Sequence, residues 1–141
     1  MSHPNPEQLA SVPLFQGLSA DEREQLASWL EEEEYPAGLR PVAARAAGYA
    51  FFVLASGAAH AERDGKVLEQ LTSGSVFGEM AFFADDGRRS ADVIADTDIV
   101  VYSLFGTRFR EMQAKMPAIA ARLEELVVER AARVRGTDTT T

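Results

Sequence analysis

Asp64-Gly65 stands between two short stretches, Ala58 to Arg63 and Lys66 to Leu71, and it forces the chain to double back there. Two-residue hairpin turns of type I′ need positive φ at both central positions, and Asp-Gly adopts that conformation readily. The flanking stretches are therefore expected as paired strands. The pattern around them repeats. From about residue 39 to 104, short apolar runs alternate with glycine turns. Tyr49 to Ala55 is aromatic and β-branched and reads as a buried strand, Ser56-Gly57 as a turn, and Ala91 to Ala95 and Asp98 to Leu104 as two more strands. Many short strands at this spacing point to an all-β barrel or jelly roll.

Helices are expected on both sides of this region. Ser19 and Glu22 have capping-box spacing, in which each side chain satisfies an amide at the helix start. Leu26, Trp29 and Leu30 then repeat at helical spacing, and Val12, Leu14, Phe15 and Leu18 form a short apolar segment to pack against them. Pro36 and Gly38 end the region. Thr107 to Lys115 is one further helix. Pro117 to about Arg135 is a longer one, with Ile119, Leu123, Leu126, Val127, Ala131 and Val134 on one face and Arg122, Glu125, Glu129 and Arg133 elsewhere. The expected organisation is an N-terminal tail (1–11), one domain (12–135) and a disordered polar tail (136–141).

Charge and residue usage exclude several functions. A formal charge of −8 argues against a nucleic-acid partner, which needs a clustered basic face. Part of that excess is Glu31 to Glu34, expected as a solvated helix end or edge strand. With no cysteine there is neither a disulfide framework nor a thiolate metal site, and a cytoplasmic location is expected. The start of the chain lacks a signal-peptide pattern. Ala46 to Ala59 is too short and too interrupted to span a bilayer, so no membrane association is expected. His3 and His60 are too few and too far apart in sequence to build a metal centre. No Gly-x-Ser-x-Gly elbow and no histidine placed for a triad are present, so no catalytic residue is assigned.

The stretch that carries chemistry runs from Gly74 to Ala91. Phe77-Gly78-Glu79-Met80-Ala81 leads a glycine into a carboxylate and a short apolar turn; a polar loop then ends in Arg88-Arg89-Ser90-Ala91. Capturing a cyclic phosphodiester on a ribose calls for these groups. Arg89 offers a permanently charged fork for the phosphate, Gly78 lets backbone approach, and the Glu79 to Phe83 turn can point helix N-terminal amides at the anion. Ser90 adds a hydroxyl donor, and Glu79 can accept from a ribose 2′-hydroxyl.

At these residues the chain resembles the cyclic-nucleotide-binding domains of catabolite-activator-type regulators, cyclic-nucleotide-dependent kinases and gated channels. Phe77 to Ala81 followed by Arg89-Ser90-Ala91 is similar to that family's phosphate-binding cassette. The likeness extends to Pro36-Ala37-Gly38, Phe51 to Leu54 with Ser56-Gly57, the Asp64-Gly65 hairpin and the closing helices. It implies a mainly β fold with flanking helices, a double-stranded β-helix jelly roll (β-roll) with one N-terminal helix and C-terminal helices. One departure stands out. Where the family carries a strand, Glu-Gly and then Gly-Asp, this chain has Pro41, Ala44-Arg45 and Gly48-Tyr49, which makes that strand an edge or bulged one.

The resemblance implies a non-enzymatic sensor that binds a cyclic nucleotide through Phe77, Gly78, Glu79, Met80, Ala81, Arg88, Arg89, Ser90 and Ala91. Ser90 in place of threonine leans toward cyclic AMP over cyclic GMP. The last helix, around Ala131, Val134 and Arg135, is expected to cover the base and to move on binding. Output is expected through an effector protein in trans, with a homodimer through the C-terminal helix as an option and no DNA contact. The alternative is a degenerate β-roll, with its altered Ala43 to Tyr49 loop, serving as a structural or interaction module that binds no nucleotide.

Overall fold

The computed structural model describes residues 3–41, 50–78 and 91–138, in which seven strands form two sheets between helices. The strands are β1 (Glu31–Tyr35), β2 (Ala50–Ser56), β3 (Ala59–Arg63), β4 (Lys66–Leu71), β5 (Val76–Phe77), β6 (Asp92–Ala95) and β7 (Ile99–Phe105). Helix α1 (Pro6–Leu9), a 3-10 turn (Pro13–Phe15) and α2 (Ala20–Trp29) come first, and α3 (Gly106–Lys115) and α4 (Pro117–Asp138) come last. One sheet has the order β1-β7-β2-β5 and the other β4-β3-β6. All the pairings are antiparallel.

The expected hairpin is there. Asp64 and Gly65 have φ of 52° and 82°, and Arg63 pairs with Lys66 across the turn. Strand β2 shows why its sequence is apolar without alternation. Phe51 and Val53 face the helices, while Ala50, Phe52 and Leu54 face the space between the sheets, so both faces are buried. Strand β7 does the same, with Tyr102 and Leu104 on the helix side and Ile99 and Val101 inside the roll. Two cores result, separated by one sheet. The Phe109 ring meets Phe51 edge-on at 6.2 Å and ties α3 to the sheet.

Helix α2 begins with both halves of its capping box, since Glu22 N–H donates to Ser19 Oγ at 3.1 Å and Ser19 N–H to Glu22 Oε1 at 2.9 Å. It buries Leu26 and Trp29 as its spacing predicts, with Leu30 buried at its end. The glutamate run is the edge strand of the two expected forms: Glu31 to Glu34 pair along β7 at the outer position of their sheet. Charges there oppose further strand addition.

Three segments differ from expectation. Residues 1–11, read as a tail, contain α1, capped by Asn5 and Gln8, with Leu9 fully buried and His3 Nδ1 2.6 Å from Leu30 O. One helical turn is too short to show periodicity, so only packing reveals it. Residues 136–138, read as disordered, continue α4. A strand was expected around Pro41; instead Gly38 N–H donates to Ala95 O and Ala95 N–H to Leu39 O before the chain bends at Pro41. The altered loop from 42 to 49 lies outside the described residues.

Candidate functional site

The two flanks of the expected binding cassette belong to different sheets. Strand β5, on the edge of one sheet beside β2, delivers the chain to Gly78, and β6, on the edge of the other beside β3, receives it after Ala91. β5 is only two residues long, yet it is firmly placed. Phe77 pairs with Phe52 and Val76 with Val53, and Leu54 N–H donates to Ser75 O at 2.8 Å while Gly74 N–H donates to Leu54 O at 2.7 Å. The Phe77 ring is buried and stacks on Phe52 with centroids 5.1 Å apart. Such a pair contributes about 0.5–1.5 kcal/mol beyond its buried area.

Directly after this anchor, Gly78 has φ of 84°. An L-residue held there would cost roughly 1–2 kcal/mol, so the glycine sets the direction in which the cassette departs. On the far flank Ala91 is partly buried, and Asp92 enters the ladder opposite Glu62 with its carboxylate 3.7 Å from the Arg40 guanidinium. Phe77 from one flank and Val93 and Ala95 from the other belong to one core cluster. Both ends of the cassette are therefore pinned to the same packed interior.

Of the residues the sequence singles out, the structure describes Phe77, Gly78 and Ala91 together with the helical backbone of Val134. Glu79, Met80, Ala81, Arg88, Arg89 and Ser90 lie outside the described residues. Helix α4, expected to cover the base, is seated by Ile119, Ala120 and Leu123, all buried. It is also held by Arg122, whose Nη1 donates to Leu14 O at 2.8 Å and Gln16 O at 2.6 Å. The sequence assigns Arg122 no partner, because the carbonyls it meets lie more than a hundred positions away and nothing local announces them.

An open groove of about 540 Å³ lies between α4, the 3-10 turn and the β4–β5 turn, lined in part by Glu69, Ser73, Arg122, Glu125, Leu126 and Glu129. Three carboxylates and one guanidinium already donating to carbonyls make a poor site for an anion. This groove is not where a phosphodiester would be held. Among the described residues there is also no cluster of histidine and carboxylate groups arranged to hold a metal ion.

Residues 32–116 match the family model described as cyclic nucleotide-binding domain. The chain is 35% identical over 118 residues to a cAMP-dependent protein kinase regulatory subunit of Aspergillus niger, a match covering 82% of this chain and 28% of that protein. It is 31% identical over 124 residues to the cyclic AMP receptor protein of Thermus thermophilus, covering 84% and 56% respectively. A solved structure described as "cAMP bound PfPKA-R (141-441)" superimposes with a TM-score of 0.86 at 26% identity, over 96% of this chain and 47% of that one. The chain thus spans under a third of the kinase subunit it matches.

Proposed function

The chain belongs to the cyclic-nucleotide-binding domain family, and from that premise we propose that it is a non-enzymatic sensor of a cyclic nucleotide, cyclic AMP before cyclic GMP. The single observation that carries the reading is the match across residues 32–116, which includes both flanks of the cassette and everything between them. The geometry of the flanks supports it. A stacked Phe77 and a left-handed Gly78 launch the cassette from one sheet, and Asp92 receives it on the other.

In this proposal the Arg89 guanidinium pairs bidentately with the cyclic phosphate, and Ser90 donates its hydroxyl beside it. Backbone amides from Gly78 to Ala81 approach the same anion, and Met80 lines the turn. Glu79 accepts from the ribose 2′-hydroxyl, an arrangement in which a carboxylate near a phosphate is favourable because a donor lies between them. Arg88 adds positive potential at the rim. Helix α4 covers the base near Val134, and the nucleotide favours one position of that helix over another by its differential affinity. The signal passes to an effector protein in trans or to a second copy through α4.

Calorimetric titration of the nucleotide-free protein with cyclic AMP and cyclic GMP tests this. A specific ligand at a hundredfold its dissociation constant adds about 2.7 kcal/mol of stability, so thermal unfolding gives a parallel readout. No heat and no shift with either nucleotide at millimolar concentration would leave the roll as a structural or interaction module.

A further inference from the structure

At the end of β6 away from the cassette, the chain turns through Asp96, Thr97 and Asp98 from one sheet into the other. Beside it, Gly57 and Ala58 carry β2 into β3 in the reverse sense. The two turns are laced together. Asp96 N–H and Thr97 N–H donate to Ala58 O at 2.9 and 3.2 Å, Ala58 N–H donates to Thr97 Oγ1 at 3.0 Å, and Ala37 N–H donates to Asp98 Oδ1 at 2.9 Å.

His60 on β3 reaches across this junction. Its side chain is 17% exposed, with Nδ1 2.7 Å from Asp96 Oδ1 and Nε2 3.0 Å from Glu62 Oε2. A neutral imidazole has one N–H, so it can donate to only one of these carboxylates and must turn a lone pair toward the other. Both contacts become hydrogen bonds only when the ring carries both protons, and both are then charge-assisted.

We propose that His60, Asp96 and Glu62 form a proton-operated clasp that fastens the β6–β7 turn to β3, closed when the imidazole is a cation and half-open when it is neutral. The surroundings favour the cation. On β6, Ile94 lies opposite His60 and Asp92 opposite Glu62, with Asp92 facing the Arg40 guanidinium at 3.7 Å. On β4, Gln70 lies opposite His60 and Val67 opposite Glu62. The groups facing the ring and its neighbour are thus three carboxylates, with one guanidinium beyond them.

Partial burial lowers the proton affinity of the ring, and the hydrogen bonds and charges of Glu62 and Asp96 outweigh it, so His60 titrates above the ordinary value of 6.5. A basic group raised in the fold contributes stability that is full below its unfolded value and is lost as pH rises through the folded one. The clasp's contribution to stability therefore declines above about pH 6.5, and the ring passes to the half-open state as pH rises through the folded midpoint.

The experiment follows the His60 ring by NMR through pH in the full chain, folded and in concentrated urea. In parallel, urea unfolding is measured across the same pH range for the parent, His60→Gln, Asp96→Asn and Glu62→Gln. The ring should titrate higher when folded, and each acid-to-amide change should lower that midpoint. Relative to His60→Gln, the parent's folded-to-unfolded ratio should fall with rising pH, tenfold for each unit separating the two measured midpoints. A folded midpoint at or below the urea value overturns the clasp, as do parent and His60→Gln stabilities that run parallel through pH. The parent titration decides the matter alone should a variant fail to fold.

Discussion

Gly57→Ala should be among the most damaging small changes available to this fold. Gly57 has φ of 89°, and a Cβ built on it would overlap the Asp98 carbonyl oxygen while lying 2.8 Å from Ile99 Cγ2 and 2.9 Å from Thr97 Oγ1. The left-handed backbone alone costs an alanine about 1–2 kcal/mol. Relief of the overlap requires the backbone of Asp98 to move, because a carbonyl cannot rotate aside as a side chain can. That movement strains the bonds from Thr97 N–H to Ala58 O and from Ala58 N–H to Thr97 Oγ1, each contributing about 0.5–1.5 kcal/mol. The expected loss is about 2–5 kcal/mol, a large part of the roughly 5–15 kcal/mol that holds a domain together.

Gly65→Ala supplies the control. Gly65 has φ of 82° with no atom within 4 Å of a built Cβ, so it carries the conformational term without the overlap. Urea unfolding of both variants, fitted with a common slope, isolates the close approach as their difference. Gly57→Ala should lie at least about 1 kcal/mol below Gly65→Ala, one lost hydrogen bond being the minimum. Equal losses for the two would refute the reasoning that these turns are packed backbone against backbone.

Other predictions follow from the site and its supports. Arg89→Ala should weaken cyclic-nucleotide binding by roughly 2–5 kcal/mol, about thirtyfold to several thousandfold by calorimetry, with Glu79→Gln costing less; unchanged affinity would remove the anion assignment. Arg122→Ala should lower stability by about 1–3 kcal/mol in urea unfolding through loss of its bonds to Leu14 O and Gln16 O, and Arg122→Lys should recover part, since both bonds come from one nitrogen and an ammonium also has hydrogens for two carbonyls. Tyr35 is pushed up to about 12 by burial and by its hydrogen bond and charge contact with Glu33. A raised acid adds stability below its unfolded value of 10.0 that is lost as pH climbs toward 12, so alkaline unfolding should be shallower for Tyr35→Phe, checked against absorbance titration of the phenol.

How far the sequence could be read depended on the range of each signal. The Asp64-Gly65 turn, the Ser19 and Glu22 capping box and the apolar β2 are all local, and each is found where its residues predict. A glycine, a carboxylate and an arginine within a dozen positions are what suggest the cassette, and of these three only Gly78 lies among the described residues. Helix α1 was missed because one turn has no period to detect. Arg122 was given no partner because the carbonyls it meets belong to a turn at the other end of the chain. His60 was weighed only as a metal ligand; its carboxylate partner Asp96 is 36 positions away and reaches it only once β3 and β6 pair.

Local geometry, meaning which φ values a residue tolerates and which face it shows at a period of two or 3.6, is written into each short stretch of this chain. It was enough to specify a hairpin, a run of short strands suited to a barrel or jelly roll, and one capped helix. Tertiary structure alone decided which residues of β2 and β7 face the helices and which face the inside of the roll, that Gly57 must clear the Asp98 carbonyl, and that one imidazole should stand between two acids. Those outcomes depend on distances between segments far apart in sequence. Such distances come into being only when two sheets close on a common core, and no local preference encodes them.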